Sequence, residues 1–347
     1  MQPVIRAFCA SALAIVASAS VVAAPMDGPQ SARAGWHPAI QSAYDLLAEE
    51  TNQLAEQAST YCAEPGANDR ERLEQQWRDA FMAWQQVRFV DFGPVENNNL
   101  AWQFQFWPDP KNLVARKAGY LTTSDQPITA DLIEQSGVAV QGFPMLEYLL
   151  FDKPFSTGKH ALPATHSCAL LTTVTRHLAS NSKQLSADWH HFKTPYLNTE
   201  AYQASTIKSA MAALEILEER RLAKPMGLRG NGKRNPYLTD AWRSGTSLLS
   251  VEATLRGLQQ HFLPDFLELL KQKGELQLAE RIQRQFDAAL DNFPEADRPM
   301  TALLSDDNAF RTLQGLYVDV SQLTTLVNDQ AAVALGVVRG FNSSDGD

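Results

Sequence analysis

The eleven residues Gln141–Phe151, QGFPMLEYLLF, place one carboxylate among side chains that suit a protein interior. Glu147 is flanked by Met145, Leu146, Tyr148, Leu149 and Leu150, which together cover nearly every direction of a helical wheel. Gln141-Gly142 breaks whatever precedes it, and Pro144 suits a first helical turn, where its missing N–H costs nothing. Glu147 then falls in the opening turns, near the positive end of the helix dipole. A carboxylate in such surroundings must be paired, hydrogen-bonded or bound to a cation. Arg88, Arg116 and Lys117 are candidate partners from the same half of the chain. Two chemistries stand side by side: a buried ion pair or helix-terminus carboxylate, and a ligand or metal site.

Other clusters carry less chemistry. Ser244 and Ser247 lie three apart on an expected helix with Trp242 and so share a face. A serine nucleophile needs a positioned base and an oxyanion hole. Neither stands at a recognisable spacing, so these serines read as the lining of a polar crevice. Gly227-Leu-Arg-Gly-Asn-Gly232-Lys233-Arg234 approaches a phosphate-binding loop. It lacks the hydroxyl after the lysine, follows a helical pattern instead of a strand, and runs into Asn235-Pro236, so it reads as a flexible basic connection. The histidines form no metal-ligand pattern, and the adjacent His190 and His191 point about 100° apart on a helix. The segment from Phe92-Gly93-Pro94-Val95 to Phe106-Trp107-Pro108-Asp109-Pro110 is rich in turn residues. Its aromatics Trp102, Phe104, Phe106 and Trp107 demand burial, which ties the loop down where it can position polar groups.

The elements that must hold these residues are helical. Leu73, Trp77, Phe81, Trp84 and Val87 follow helical spacing over four turns, with Asn68 or Asp69 as the expected cap. Leu313, Tyr317, Val320, Thr324, Val327, Ala331, Ala334 and Val338 alternate steps of four and three, the seam of a helix packed lengthwise in a bundle. Further helices are expected over Pro38–Ala63, Pro163–Phe192, Thr199–Leu222, Tyr237–His261 and Glu275–Asn292. No alternating run is long enough to build a sheet. The expected fold is all-α. Thr194-Pro195 and Asn198-Thr199 punctuate the middle, which divides the chain into an N-terminal bundle over 36–197 and a C-terminal bundle over 198–341, of comparable size.

Arg6, the apolar run Ala7–Val22 and Val21-Val22-Ala23 have the order of a cleavable signal peptide over residues 1–23. The expected product is a soluble, exported chain beginning near Ala24, with no transmembrane segment. Its formal charge of −9 becomes −10 once Arg6 is removed. That balance argues against nucleic acid and anionic membrane surfaces and otherwise reads as solubility. Cys62 and Cys168 remain after processing. An oxidising compartment allows them to pair, and two unpaired thiols at helix ends are the alternative.

QGFPMLEYLLF resembles the signature segment of the imelysin family of bacterial envelope proteins, whose motif is Gly-x-His-x-x-Glu. Phe92-Gly93-Pro94, Trp107-Pro108-Asp109 and the ending Leu335-Gly336 to Asp347 are similar to further family signatures, so the resemblance spans essentially the whole mature chain. It implies two related helical-bundle domains packed together, with a site between them, a periplasmic or outer-membrane-associated location, and a link to iron uptake. The site residues it marks are Gly142, Pro144 and Glu147, with Trp107, Asp109, Trp242, Arg243, Ser244 and Ser247 around them. One position departs from the pattern: Pro144 stands where the motif has histidine. Family members have been classed as metallopeptidases because histidine and glutamate could share a metal, and proline has no lone pair to offer. Glu147 alone remains as a candidate metal ligand. The resulting expectation is a non-catalytic periplasmic component that binds iron, an iron chelate, haem or an envelope iron-uptake protein. A metal-dependent peptidase and an envelope scaffold are the alternatives.

Overall fold

The computed structural model describes residues 31–294 and 298–338. The expected signal peptide and the ending Arg339–Asp347 lie outside the described residues. The helices are α1 (Ala32–Ala63), α2 (Asp69–Val87), α3 (Leu100–Phe104), α4 (Leu113–Thr123), α5 (Ala130–Gln135), α6 (Gly142–Phe151), α7 (Thr165–His191) and α8 (Lys193–Asn198). They continue as α9 (Ala201–Glu215), α10 (Ser247–His261), α11 (Leu263–Gln272), α12 (Leu276–Asp291), α13 (Met300–Ser305), α14 (Asp307–Thr324) and α15 (Ala332–Ala334). Among the described residues there is no strand, and the fold is all-α. No described helix is long and apolar enough to cross a membrane.

Helix α1 buries Trp36, Ile40, Tyr44, Leu47, Thr51, Leu54, Ala58 and Tyr61, at steps of three and four, against α2 and α7. It begins at Ala32, six residues before the expected start at Pro38. Tertiary contacts outweigh the proline signal here. The Arg33 Nη1 group donates to the carbonyls of Tyr196, Leu197 and Thr199 at 2.6–2.8 Å, and the Trp36 indole donates to Phe262 O at 2.8 Å. Trp36 also stacks on Phe262, with ring centroids 5.6 Å apart. Helix α1 thus grips chain from both sides of residue 197. Cys62 near its C-terminus is joined to Cys168 near the start of α7 in a disulfide, with Cα atoms 5.6 Å apart.

Helix α10 crosses α2 at very close range. A Cβ added to Gly257 would lie 2.0 Å from the Gln86 carbonyl oxygen, so only glycine lets the two backbones approach this closely. At the start of α2, Asp69 accepts from Gly66 N at 2.6 Å, whereas Asn68 makes no side-chain cap.

Two long helices widen near their C-termini. Helix α9 runs on into a π-helical stretch over Ile216–Ala223, and α14 into another over Thr325–Ala331. The seam of α14 keeps Leu313, Val320, Thr324, Val327 and Ala331 buried, and ends there, with Val338 exposed. The expected helix Tyr237–His261 forms only from Ser247 onward, and Thr239–Thr246 is irregular. Local hydroxyl bonds give that backbone an alternative to a helical ladder. The Ser247 hydroxyl donates to Thr239 Oγ1 at 2.9 Å, and the Ser244 hydroxyl lies 2.9 Å from Ala241 O. Ala241 at φ +47 and Gly245 at φ +73 complete the break. The loop Gly227–Arg234 leads into a single short turn, Pro236–Leu238. It is pinned by Arg229 to Glu219 at 2.6 Å and by Arg234 to Asp307 at 2.8 Å, with the Arg234 guanidinium lying 3.6 Å over the Phe310 ring.

Candidate functional site

Helix α6 is placed by its first residue. Gly142 has φ +72, and a Cβ there would meet Gln103 O at 2.1 Å and Phe104 O at 2.3 Å. The start of α6 therefore presses against the end of α3, which only glycine permits. Phe143, Met145, Leu146, Leu149 and Leu150 are fully buried, and the Trp77 indole donates to Phe143 O at 3.3 Å. This packing fixes the direction in which Glu147 points.

Glu147 is 4 % exposed. Its Oε1 accepts the Ser244 backbone N–H at 2.9 Å and lies 3.0 Å from the Ser244 hydroxyl. The partners expected from sequence are elsewhere. Arg116 and Lys117 are exposed, and Arg88 donates to Gln105 Oε1 at 2.7 Å. Burial pushes the Glu147 carboxyl up to about 7, against the opposing pull of the Ser244 bonds and the positive charge of Arg243. Arg243 itself is paired with Asp152 at 2.7 Å and lies over the rings of Trp242 and Tyr148 at 4.3 and 5.0 Å.

In front of Glu147 opens a crevice of about 700 Å3. Phe106, Trp107, Tyr237 and Trp242 form its aromatic walls, Pro144 and Glu147 lie at its floor, and Arg220, Lys224 and Arg243 bring positive charge to it. Asp109 lines it too, yet its carboxylate caps α4 by accepting from Leu113 N at 2.8 Å and Val114 N at 2.9 Å. Of the residues marked from sequence, Trp107, Asp109, Pro144, Glu147, Trp242 and Arg243 meet in this crevice. Gly142 supports it through the helix start, and Ser244 holds Glu147. Ser247 does not share a face with Ser244. It begins α10 and bonds back into its own loop.

Sequence reasoning missed the polar layer behind the crevice. Asp240 accepts from Arg221 Nη2 at 2.9 Å, from Gln105 Nε2 at 3.1 Å and from the Ser250 hydroxyl at 3.1 Å. Arg221 Nη2 also donates to Gln85 Oε1 at 2.6 Å, and Gln105 Oε1 receives the Trp84 indole at 3.0 Å. These residues come from five separate segments and fix one another's rotamers. The available signal was Arg221, a charge at an inward position beside Leu217 and Leu222.

These side chains do not fit a metal ion held by the signature segment. Pro144 offers no lone pair, Glu147 Oε1 already accepts from Ser244, and the Asp152 and Asp240 carboxylates are bound to arginines. Among the described residues no three His, Cys, Asp or Glu side chains converge as a metal would require.

The family model described as Imelysin matches residues 40–327. No protein of curated function matches the chain. Solved structures share its fold, two of them as follows. An imelysin-like protein from Psychrobacter arcticum 273-4 is 21% identical with a TM-score of 0.76, over 90% of this chain and 98% of that one. A putative iron-regulated protein A precursor from Parabacteroides distasonis ATCC 8503 is 15% identical with a TM-score of 0.65, over 90% of this chain and 97% of that one. With the family model matched over most of its length, the chain belongs to the imelysin family.

Proposed function

We propose that this imelysin-type chain is an exported, periplasmic binding component of iron acquisition, and that it carries an anionic iron complex in the crevice before Glu147. The observation that carries this reading is the lining itself: aromatic rings, Phe106, Trp107, Tyr237 and Trp242 among them, with three cationic side chains around about 700 Å3. Such a surface suits a flat or apolar body bearing carboxylates, which is the chemistry of haem and of ferric chelates. Free iron is a poorer match, because the carboxylates near the crevice are capped, paired or held by Ser244. The link to iron draws on the fold shared with the protein described as an iron-regulated protein A precursor. The order of residues 1–23 supports export. The two bundles over 36–197 and 198–341 supply the two walls in this reading, with Glu147 from the first and Trp242 and Arg243 from the second.

The test is titration of the purified full-length chain with hemin and with ferric citrate, read by the haem absorption band and by tryptophan fluorescence. Saturable binding of at least one is expected, weakened about tenfold or more in Trp242→Ala, since a stacked aromatic contributes on the order of 1–3 kcal/mol. Absence of saturable binding of both complexes sinks the reading.

A further inference from the structure

Gln105 and Trp107 also line a second chamber, of about 250 Å3. Trp84, Trp102 and Trp107 contribute its walls, and the guanidinium groups of Arg88 and Arg221 lie at its inner end. The Arg221 side chain is 1% exposed and that of Arg88 18%.

The charge at that inner end does not balance. Asp240 Oδ2 is 2.9 Å from Arg221 Nη2 and 4.0 Å from Arg88 Nη1, so one carboxylate serves two cations. Asp91 also lines the chamber, bonded to the Ser209 hydroxyl, and Asp240 is the carboxylate that acts on Arg88. Gln85 and Gln105 supply amide oxygens, which orient the guanidiniums and carry no charge. Burial and the nearby Arg221 charge push Arg88 down to about 9, although Asp240 pulls the other way. A surplus charge withdrawn from water is costly unless something neutralises it. Donors remain to do so. Arg88 uses Nη1 on the two amide oxygens, and its Nε and Nη2 make no hydrogen bond among the described residues.

The chamber has room, free N–H groups and two guanidiniums sharing one carboxylate at its inner end, and we infer that it binds a small oxyanion, a carboxylate or a phosphate group, on the Arg88 fork. Arg88 presents two adjacent donors, the geometry that planar carboxylates and phosphates accept. Arg221 behind it adds field without needing to touch the ion. The site does not involve Glu147, so it stands or falls independently of the iron-complex reading.

The experiment titrates the full-length protein with sodium phosphate and with sodium acetate, using sodium chloride at matched ionic strength as control. Fluorescence of the wall tryptophans and the melting temperature are both read. A saturable response to at least one oxyanion, absent with chloride, is expected, and the tighter of the two identifies the source of the anion. Arg88→Met should weaken binding about tenfold or more, because it removes a charged donor. Its melting temperature without anion should hold or rise, since a repelling charge has left, whereas a purely structural arginine would lower it. If Arg88→Met does not fold, Arg88→Gln takes its place, retaining an amide toward Gln105. No saturable response to either oxyanion in the wild type, or an equal response in the neutral variant, overturns the inference.

Discussion

Replacing Glu147 by glutamine separates a structural carboxylate from one kept for a ligand. Burial raises its carboxyl from 4.5 to about 7. Between those values the folded chain holds a proton that the unfolded chain has already lost. Stability therefore falls as pH rises from about 4.5 to about 7, and no further above that. At about 1.4 kcal/mol per tenfold change in proton affinity, the displacement amounts to roughly 3 kcal/mol. Glutamine keeps an oxygen for the Ser244 N–H and buries no charge. At pH 5 Glu147→Gln should be the more stable by only about 1 kcal/mol or less, because the folded carboxyl is still neutral there while the unfolded one has begun to ionise. At pH 8 the variant should be the more stable by about 2–3 kcal/mol, slightly less than the full displacement because the Ser244 bonds to a charged acceptor are weakened. Guanidinium denaturation of both proteins at the two pH values measures this. A variant that loses about 3 kcal/mol or more at pH 8 would be behaving like a broken buried ion pair. That outcome, or a difference unchanged between pH 5 and pH 8, refutes the argument from burial.

Three further outcomes are expected. Gly142→Ala combines a left-handed backbone with a Cβ 2.1 Å from Gln103 O, and should cost about 2–5 kcal/mol in a denaturant melt; Gly119→Ala, with nothing within 4 Å, should be neutral or slightly stabilising. Cys62→Ser should lower stability by about 4–5 kcal/mol, because the Cys62–Cys168 bond closes a loop spanning 106 residues of sequence; reduction of the wild type should cost the same, and an unchanged midpoint on reduction would contradict it. N-terminal sequencing of the soluble protein purified from its own cells should find a start near Ala24, and an intact Met1 would remove the export reading.

What the sequence disclosed depended on how far apart the interacting residues lie. The burial of Glu147 was legible because its cause is local: five apolar neighbours around one turn. Its partner was harder: the family resemblance put Ser244, 97 residues away, near Glu147, but the residues themselves named only Arg88, Arg116 and Lys117 as partners. The helix expected from Tyr237 failed for a related reason. Leu248, Val251, Leu255 and Leu258 keep helical spacing, but ahead of them serine and threonine hydroxyls satisfy the backbone locally, so the chain turns until Ser247. Pro38 marked a start that Arg33 and Trp36 moved to Ala32 through contacts 163 to 226 residues distant. The π-helical widening around Arg221 has no local signature. It brings an arginine to an inward position beside Leu217 and Leu222, where a periodic pattern expects an apolar side chain.

Pro144, standing where the resemblance would place a histidine, is consistent with everything else around Glu147. A cation site needs neutral or negative donors with lone pairs free to converge. Here Pro144 offers no lone pair, Ser244 occupies one carboxylate oxygen, Asp109 caps α4, and Asp152 and Asp240 are bound to arginines. With Glu147 half protonated near pH 7, Arg220, Lys224 and Arg243 line the crevice with carboxylates that already have partners: Asp109 caps α4, Asp240 holds Arg221, and Asp152 behind the lining holds Arg243. Each of these features shifts the preference away from a bare cation and towards an anion. On the proposed reading, an iron atom would enter this site already enclosed by a negatively charged organic ligand, with the tryptophans holding the ligand body and the basic side chains its carboxylates.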